Sequence, residues 1–382
     1  MRVYQIMVDR FSTGNKRKDA ALALKTSRRR MGGNLRGVEN KLEYIKKLGF
    51  DAIWLTPISE AAEYNGYSVL DFYKIDPHFG SNKDLKQLVD KAHKLGIKVI
   101  LDFVANHVSN QHNFFRSAFR DKRSMYRKWF VFDKSGTYKC FLDVKTLPKL
   151  NTENDEVINY LIDAASYWIK EFGIDGYRLD HAIGPSTKFW SEFVSECLKL
   201  DNRLMFMPEI WLTGIKTEHL DTLWFLKNEE KLRERLRAIL FKNQGKNWDI
   251  IGDSDAEEFA MSALNNIFKT PLDFSQNFKL RRQYSEDKID YSTEHFAFAD
   301  NHDMQRISWI LKNDRNRIDN SIRKVRKFKN SVVYYGTEIY LSQKKDFGKL
   351  STFQDTECRR FMDWGSVNDT VINRFAGILN GQ

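Results

Sequence analysis

Short apolar runs and helix-like segments alternate along this chain, and this alternation constrains the fold more than any other feature. Apolar runs at residues 3–8 and 51–58 are each followed by a segment with apolar side chains at helical spacing, which stops at Gly49 or Gly96. Parallel strands need crossovers, so repeated strand–helix units predict a parallel sheet joined by helices. Seven or eight such units favour an α/β fold of the closed (β/α)8 barrel type over an open sheet, and no G-x-G-x-x-G follows the first run.

Capping signals mark the clearest helices. Ser81 and Asp84 form a capping-box pattern, and the helix predicted over 154–172 ends before Gly173. Helices are also predicted over 34–48 and 226–241. Residues 97–107 carry a continuous apolar run, which is typical of a strand buried on both faces. The remaining strand-like runs are 174–182, 204–211, 295–301 and 331–339, with a further strand placed near 259–265.

The alternation pauses between residues 108 and 153. This stretch is aromatic and basic, contains Trp129, Phe130 and Phe132, and has little helical periodicity. It is therefore predicted to be a short, loop-rich subdomain inserted after the third strand. The barrel would then comprise residues 1–107 and 154–382.

Charge and cysteine content restrict the class of protein. The 62 Lys and Arg residues are nearly matched by 51 Asp and Glu residues, so the net charge of +11 indicates a charge-rich surface and no nucleic-acid partner. The three cysteines are far apart and form no C-x-x-C pair, which suits a reducing compartment without a zinc site. No signal-peptide pattern or run of 18 apolar residues is present. These features predict a cytoplasmic protein that does not bind membranes.

Polar residues gather at the ends of the predicted strands. In a barrel, catalytic side chains project from the carboxyl ends of the strands. Each polar residue alone is compatible with a structural role, whereas four such strand ends together favour an active site. The residues are Asp102, Asn106 and His107 after the third strand, Arg178, Asp180 and His181 after the fourth, Glu209 after the fifth, and Asn301, His302 and Asp303 after the seventh.

Three of these residues are carboxylates that would converge, namely Asp180, Glu209 and Asp303. Retaining glycoside hydrolysis needs two: one attacks the anomeric carbon, while the other protonates the leaving oxygen and later activates water. Arg178 is two residues before Asp180, so it points to the same side of the strand and would keep Asp180 ionised. The third carboxylate and the histidines His107 and His302 are expected to bind sugar hydroxyls.

Four segments resemble the conserved regions of the α-amylase family of glycoside hydrolases. They are DFVANH (102–107), GYRLDHA (176–182), MPEIW (207–211) and FADNHD (298–303). The resemblance implies that Asp180 is the nucleophile, Glu209 the acid/base and Asp303 the third catalytic carboxylate. It assigns Asp102, His107, Arg178, His181 and His302 to substrate binding. YYGTEI (334–339) and RRFMDW (359–364) resemble the end of the family's eighth strand and the loop after it.

Two further matches concern calcium and an aromatic platform. Asn106 matches a position that binds calcium in many family members. The resemblance therefore allows a calcium ion at Asn106, although no cofactor is expected to be required. Tyr67, in GYSVLDFYKIDPHFG (66–80), matches an aromatic platform under the sugar ring. Trp129 and the basic aromatic stretch 126–132 are interpreted as a second sugar-binding rim.

The segment LPKLN (147–151) resembles the MPKLN stretch of neopullulanases, cyclomaltodextrinases and maltogenic amylases. That resemblance implies an α-glucan or oligosaccharide substrate with α-1,4 links, and in some members α-1,6 links. The alternative is that LPKLN is only a turn. Transglycosylation is a near rival of hydrolysis because both use the same covalent intermediate, whereas a non-catalytic carbohydrate-binding protein is disfavoured because the catalytic residues are present.

The sequence departs from the family pattern in three places. The first strand is predicted at the start of the sequence, so the N-terminal β-sandwich of the neopullulanase group is expected to be absent. Only 18 residues follow Trp364, so the C-terminal β-sandwich is expected to be absent or nearly so. The family's lysine–histidine pair, which often supplies a calcium ligand, is replaced by Gly184–Pro185. These departures leave the calcium site and a homo-oligomeric state open.

Overall fold

The computed structural model describes residues 1–210, 221–226, 234, 272–273, 291, 295–346 and 355–381. Among the described residues, six pairings between barrel strands are parallel. The strand order is that of a closed barrel, β1-β10-β9-β8-β7-β6-β5-β2, which confirms the predicted (β/α)8 class. The strands are β1 (Arg2–Ile6), β2 (Ala52–Leu55), β3 (Ser59–Ala61), β4 (Val69–Ile75), β5 (Lys98–Phe103), β6 (Gly176–Leu179), β7 (Met205–Ile210), β8 (Leu272–Asp273), β9 (Phe296–Phe298) and β10 (Asn330–Tyr334).

The chain divides into two compact units. The first comprises Met1–Ile58, Ile75–Leu101 and Gln276–Gln382, and within it β1 pairs with both β10 and β2, with Val3 level with Val332 and Ala52. The second comprises Ser59–Lys74 and Asp102–Ser275, and within it β6 and β7 pair in register. Every residue of β2, β6, β9 and β10 is buried, as expected for parallel strands covered on both faces.

Helix boundaries follow the capping residues. Ser81 and Asp84 form the predicted capping box, and Gly173 ends its helix in the left-handed conformation at φ 71°. None of the described helices is long and apolar enough to cross a membrane. The helices are α1 (Val8–Phe11), α2 (Lys16–Leu22), α3 (Leu35–Glu39), α4 (Leu42–Leu48), α5 (Asn82–Lys94), α6 (Asn113–Arg120), α7 (Asp155–Phe172), α8 (Thr187–Leu200), α9 (Ile307–Ile310), α10 (Arg315–Val325) and α11 (Asp369–Asn380).

Several elements differ from the sequence expectation. The helix predicted over 34–48 is two helices, α3 and α4, which separate at Asn40 and Lys41. The strand predicted over 174–182 stops at Leu179, and His181 takes a positive φ of 42° that no strand residue adopts. The backbone therefore leaves the sheet where the polar residues begin. The helix over 226–241 lies almost entirely, and the strand near 259–265 entirely, outside the described residues.

Residues 108–153 contain one short helix, α6, two 3-10 turns at Met125–Trp129 and Phe141–Asp143, and isolated antiparallel bridges. Aromatic rings form much of the core of this segment. Trp129 is only 7% exposed, packs against Phe114 and Tyr160, and donates its indole N–H to Glu156 at 2.8 Å. The prediction that Trp129 stacks on a sugar is therefore wrong, because packing and a hydrogen bond already occupy this side chain.

Candidate active site

Three carboxylates of the second unit lie close together at the carboxyl ends of barrel strands. Asp102 is on β5, Asp180 follows β6, and Glu209 is on β7. The backbone N–H of Asp180 donates to the carbonyl of Phe103 at 3.0 Å, which ties the residue after β6 to the end of β5. Parallel registration thus places the carboxyl ends of the strands, and the acids at them, side by side.

Arg178 lies at the centre of this group. Its side chain is 1% exposed, and Nη1 lies 2.9 Å from Asp102 Oδ1 and 2.8 Å from Asp180 Oδ1. The second terminal nitrogen, Nη2, lies 2.7 Å from Glu209 Oε1. The planar guanidinium, with donors on both arms, therefore binds all three carboxylates at once.

The cluster carries excess negative charge. Three ionised carboxylates and one guanidinium sum to −2. Burial raises the pKa of Asp180 well above its usual range; Arg178 opposes this shift, whereas Glu209 and Asp102 add to it. Because the carboxylates interact strongly, they titrate as a group and retain a proton at a pH where isolated carboxyls have lost theirs.

The backbone after the nucleophile candidate holds the acid/base candidate in place. The N–H of His181 donates to Glu209 Oε2 at 2.9 Å, and the N–H of Ala182 donates to the Glu209 carbonyl at 2.9 Å. The left-handed φ of His181 brings its N–H onto the carboxylate. The two residues that follow Asp180 thus connect it to Glu209, as Arg178 also does.

Tyr67 forms an aromatic wall beside the carboxylates. It lies in the loop between β3 and β4, where Gly66 has a φ of 87°. Its hydroxyl donates to Asp102 Oδ2 at 2.9 Å, and the Arg178 guanidinium carbon is 5.7 Å from the ring centroid. The ring itself is half-buried, and its role as a platform stays a prediction.

His107 is buried and neutral. Asn106 uses its side-chain oxygen to accept from Lys149, so its amide nitrogen donates to His107 Nδ1 at 3.2 Å. This pairing leaves the imidazole proton on Nε2. Burial, aided by the nearby Lys149 charge, lowers the pKa of His107 to about 3. The ring is consequently neutral, and its binding of a sugar hydroxyl stays a prediction.

Lys149, the central residue of LPKLN, was not predicted as a site residue. Its side chain is buried, and Nζ donates to Asn106 Oδ1 at 2.6 Å and to the Gly184 carbonyl at 2.9 Å. The ring centroid of Trp224 lies 4.7 Å from the same nitrogen. Burial lowers the pKa of Lys149 to about 7. The only signal in the sequence was its place within the LPKLN segment.

Phe141 was also missed. This half-buried residue of the inserted segment places its ring centroid 5.0 Å from that of His107 and 4.8 Å from that of His181. The next residue, Leu142, has a φ of 41°, which turns the chain sharply after the ring. No periodicity or motif in the sequence marks Phe141, because its position depends on this turn.

The other predicted residues form a group within the first unit. His302 is fully buried, receives a hydrogen bond from the Gln5 amide nitrogen at Nδ1 (2.7 Å), and donates from Nε2 to Asp303 Oδ2 at 3.0 Å. Arg359 donates to Asp303 Oδ1 at 2.6 Å and to the His302 carbonyl at 2.8 Å. The Asp303 side chain remains 25% exposed, so the carboxylate is oriented by two donors and still open on one side.

Comparisons with known proteins identify a matching family and several relatives of this chain. Residues 5–191 match the model of the alpha-amylase catalytic domain. The chain is 34% identical over 348 residues to alpha-amylase 2 of Dictyoglomus thermophilum (90% of this chain, 56% of that protein). It is 31% identical over 377 residues to a cyclomaltodextrinase of a Bacillus species (94% and 61%).

Solved structures extend the match to nearly the whole chain. The alpha-amylase of Geobacillus thermoleovorans, solved with acarbose, superposes with a TM-score of 0.72 at 29% identity and covers 99% of this chain and 77% of that one. The chain spans about 56% to 61% of the length of the two curated relatives described above. By sequence and by fold, this chain belongs to the alpha-amylase family.

Proposed function

We propose that this protein hydrolyses α-glucosidic bonds in α-glucans with retention of anomeric configuration. The observation that carries the proposal is that one buried guanidinium, that of Arg178, contacts both Asp180 and Glu209. Carboxylates that share a guanidinium are close together. Closeness suits the separation of about 5–5.5 Å used by retaining enzymes better than the roughly 6.5–9.5 Å that admits a water in inverting enzymes.

Asp180 acts as the nucleophile in this mechanism. Its carboxylate attacks the anomeric carbon while Glu209 transfers a proton to the departing glycosidic oxygen, so a glycosyl–aspartate ester forms as the glycosidic bond breaks. Glu209, now ionised, takes a proton from water. The resulting hydroxide equivalent attacks the anomeric carbon, the bond between that carbon and the Asp180 oxygen breaks, and the Asp180 carboxylate is released. The product hydroxyl has the same anomeric configuration as the original bond.

The charge of the cluster bears on how a proton is shared. Arg178 touches both groups, and burial together with the neighbouring carboxylates raises the pKa of Asp180, so the carboxylate group retains a proton. The proposal places that proton on Glu209 when the substrate is bound, as a general acid requires. The covalent step neutralises the nucleophile, which lowers the pKa of the acid/base and lets Glu209 act as a base in the second half of the reaction.

Five further residues take part in binding the sugar in this proposal. The neutral His107 donates from Nε2 to a hydroxyl, and the ring of Tyr67 lies against the apolar face of the sugar. Asp303, held by His302 and Arg359, accepts from hydroxyls and favours a distorted ring.

The substrate class follows from relatives named alpha-amylase 2 and cyclomaltodextrinase, together with the LPKLN segment. We infer α-1,4 bonds of maltooligosaccharides and cyclodextrins as the main target, with α-1,6 bonds as a second one. Transfer to a sugar acceptor uses the same ester intermediate and competes with hydrolysis.

The first experiment incubates the protein with β-cyclodextrin, maltotriose, pullulan and soluble starch and follows the products by chromatography and by proton NMR. Early products with the α configuration support retention, whereas initial β products would contradict it. In the incubation with maltotriose, products longer than the substrate would demonstrate transfer.

Variants test the roles of the two carboxylates. Asp180→Ala and Glu209→Gln are each expected to lower kcat by about 10⁴-fold or more, since nucleophile and acid/base cannot be replaced by water at this geometry. Glu171→Gln, an exposed carboxylate on α7, is the matched control and should keep full activity. Retained turnover in Asp180→Ala would overturn the mechanism.

A further inference from the structure

The amino group of Lys149 contacts the residue that the family resemblance assigns to calcium binding. Asn106 is the residue that matches a calcium position, and its oxygen accepts from Lys149 Nζ at 2.6 Å. The Gly184 carbonyl, in the segment after the nucleophile, accepts from the same nitrogen at 2.9 Å. Both oxygens, a side-chain amide and a backbone carbonyl, are typical calcium ligands.

These residues do not fit calcium. Calcium takes six to eight oxygen ligands at about 2.3–2.6 Å, usually with carboxylates among them. Here the ammonium fills the space in front of both oxygens, and the indole ring of Trp224, 4.7 Å away, covers it with an apolar face. No group of three or more His, Cys, Asp or Glu side chains able to hold a metal occurs among the residues that the structure describes.

The backbone is shaped to this arrangement. A Cβ added to Gly184 would come within 2.2 Å of Asn106 Oδ1, so glycine is required for the segment to approach the amide this closely. The Gly184 carbonyl also accepts from the backbone N–H of Trp224 at 3.1 Å. The departure from the family's lysine–histidine pair at 184–185 is thus matched by the buried lysine that reaches this point.

We propose that Lys149 is a built-in cation that replaces calcium and positions the active site. Three segments meet at its amino group: the end of β5 through Asn106, the segment after the nucleophile through Gly184, and the inserted segment that carries the lysine itself. Backbone bonds reinforce the connection, since Leu150 N–H donates to the Asn106 carbonyl at 2.9 Å.

Lys149 acts on the reaction through its neighbours. By fixing Asn106 Oδ1, it turns the amide nitrogen toward His107 Nδ1 and so places the imidazole proton on Nε2. By binding Gly184, it restrains the segment that begins with Asp180 and His181. It is a positioning residue, and this catalytic part of the inference rests on the proposed function.

Metal independence is tested on the unmodified protein. Thermal unfolding is recorded in EDTA and in calcium chloride, and calcium binding is measured by titration calorimetry. The inference predicts the same Tm in both solutions and no calcium bound. A Tm that calcium raises in the natural protein but not in Asn106→Ala would overturn it. Neither measurement depends on catalytic activity, so this test stands or falls separately from the proposed reaction.

The positioning role is tested with Lys149→Met, which keeps the length of the side chain and removes its donors. We expect Tm to fall by about 5 °C or more, because the buried Asn106 Oδ1 loses its donor and the Gly184 carbonyl loses one of its two donors. We also expect kcat on maltotriose to fall about tenfold or more with a smaller change in KM, and Lys149→Arg to recover part of both losses.

Lys139→Met is the matched control, because Lys139 is an exposed lysine whose carbonyl accepts from the Lys149 backbone N–H. It should leave Tm and kcat unchanged. Natural values of Tm and kcat in Lys149→Met would overturn the inference. If that variant fails to fold, Lys149→Arg decides the matter. A folded protein with a reduced kcat supports a fitted cation, whereas a kcat and a Tm in EDTA equal to those of the natural protein contradict it.

Discussion

Arg178 Nη2 lies 2.7 Å from Glu209 Oε1, so the proposed acid/base is held by the same buried cation that binds the proposed nucleophile. Removing the cation leaves three buried carboxylates without compensation. A lysine at this position offers a single point charge and cannot place donors on both sides as a guanidinium does.

The first prediction concerns this cation. Arg178→Lys is expected to lower kcat/KM by about 10²-fold or more, and Arg178→Met to lower the free energy of unfolding by about 3–5 kcal/mol, because a buried pair broken on one side leaves an uncompensated charge. Steady-state kinetics and urea denaturation measure the two effects. Arg323→Met, at an exposed arginine of α10, is the control. Equal activity in Arg178→Lys would show that bidentate placement does not matter.

The second prediction concerns Asp180 and pH. Because burial raises its folded pKa above the unfolded value, the native state binds more protons than the unfolded state between those two pKa values. The contribution of Asp180 to stability therefore falls as pH rises through that window. Asp180→Asn, which removes the charge, should stabilise the protein by about 0.5–2 kcal/mol at pH 8 and by less at pH 5.

Thermal unfolding of both proteins across this pH range measures the difference, and the variant should be inactive throughout. A stability gain that is larger at pH 5 than at pH 8 would show that Asp180 is ionised more easily than its surroundings indicate.

The third prediction concerns Arg359, which donates to Asp303 at 2.6 Å. Arg359→Met removes a hydrogen bond between charged groups that is worth about 1.5–3 kcal/mol, so kcat/KM should fall by about 10- to 100-fold. Arg315→Met, at an exposed arginine in the same unit, is the matched control. If activity is unchanged while Asp303→Asn is inactive, His302 alone suffices to orient that carboxylate.

The fourth prediction separates Phe141 from Trp129. Phe141 is half-buried beside His107 and His181, so Phe141→Ala should raise KM by about 3- to 10-fold while changing Tm little. Trp129→Ala should do the reverse, with a loss of about 3–5 kcal/mol of stability and unchanged KM in the folded fraction.

Phe119→Ala serves as the control for both aromatic variants, since Phe119 lies in the same inserted segment and is 56% exposed. A rise in KM for Trp129→Ala without loss of stability would restore Trp129 as a sugar-binding residue.

Local patterns in the sequence predicted much of the fold. Ser81 and Asp84 cap their helix through contacts three residues apart, and Gly173 ends a helix by its own conformational freedom. The acids at the strand ends, Asp180 and Glu209, were predictable because the carboxyl ends of parallel strands face the same side. Such features depend on neighbours along the chain or on the direction of a strand.

Contacts between segments that are distant in the sequence could not be predicted from it. Lys149 and Asn106 are separated by 43 positions, and the inserted segment between them has no periodicity that fixes its path. Trp129 looked like a surface aromatic because basic residues surround it in sequence, yet its ring is packed inside that segment. In both cases packing between residues distant in the sequence determines which groups the side chain contacts.

Periodicity and chain direction were enough to predict the class of fold, the strand ends that carry the acids and the residue types needed for the proposed reaction. Tertiary structure decided that Arg178 binds three carboxylates at once, that Phe141 lies beside two histidines and that a lysine fills the space beside Asn106. The physical reason is that charge compensation and burial depend on distances between atoms, and folding brings those atoms together from segments that are far apart in the chain.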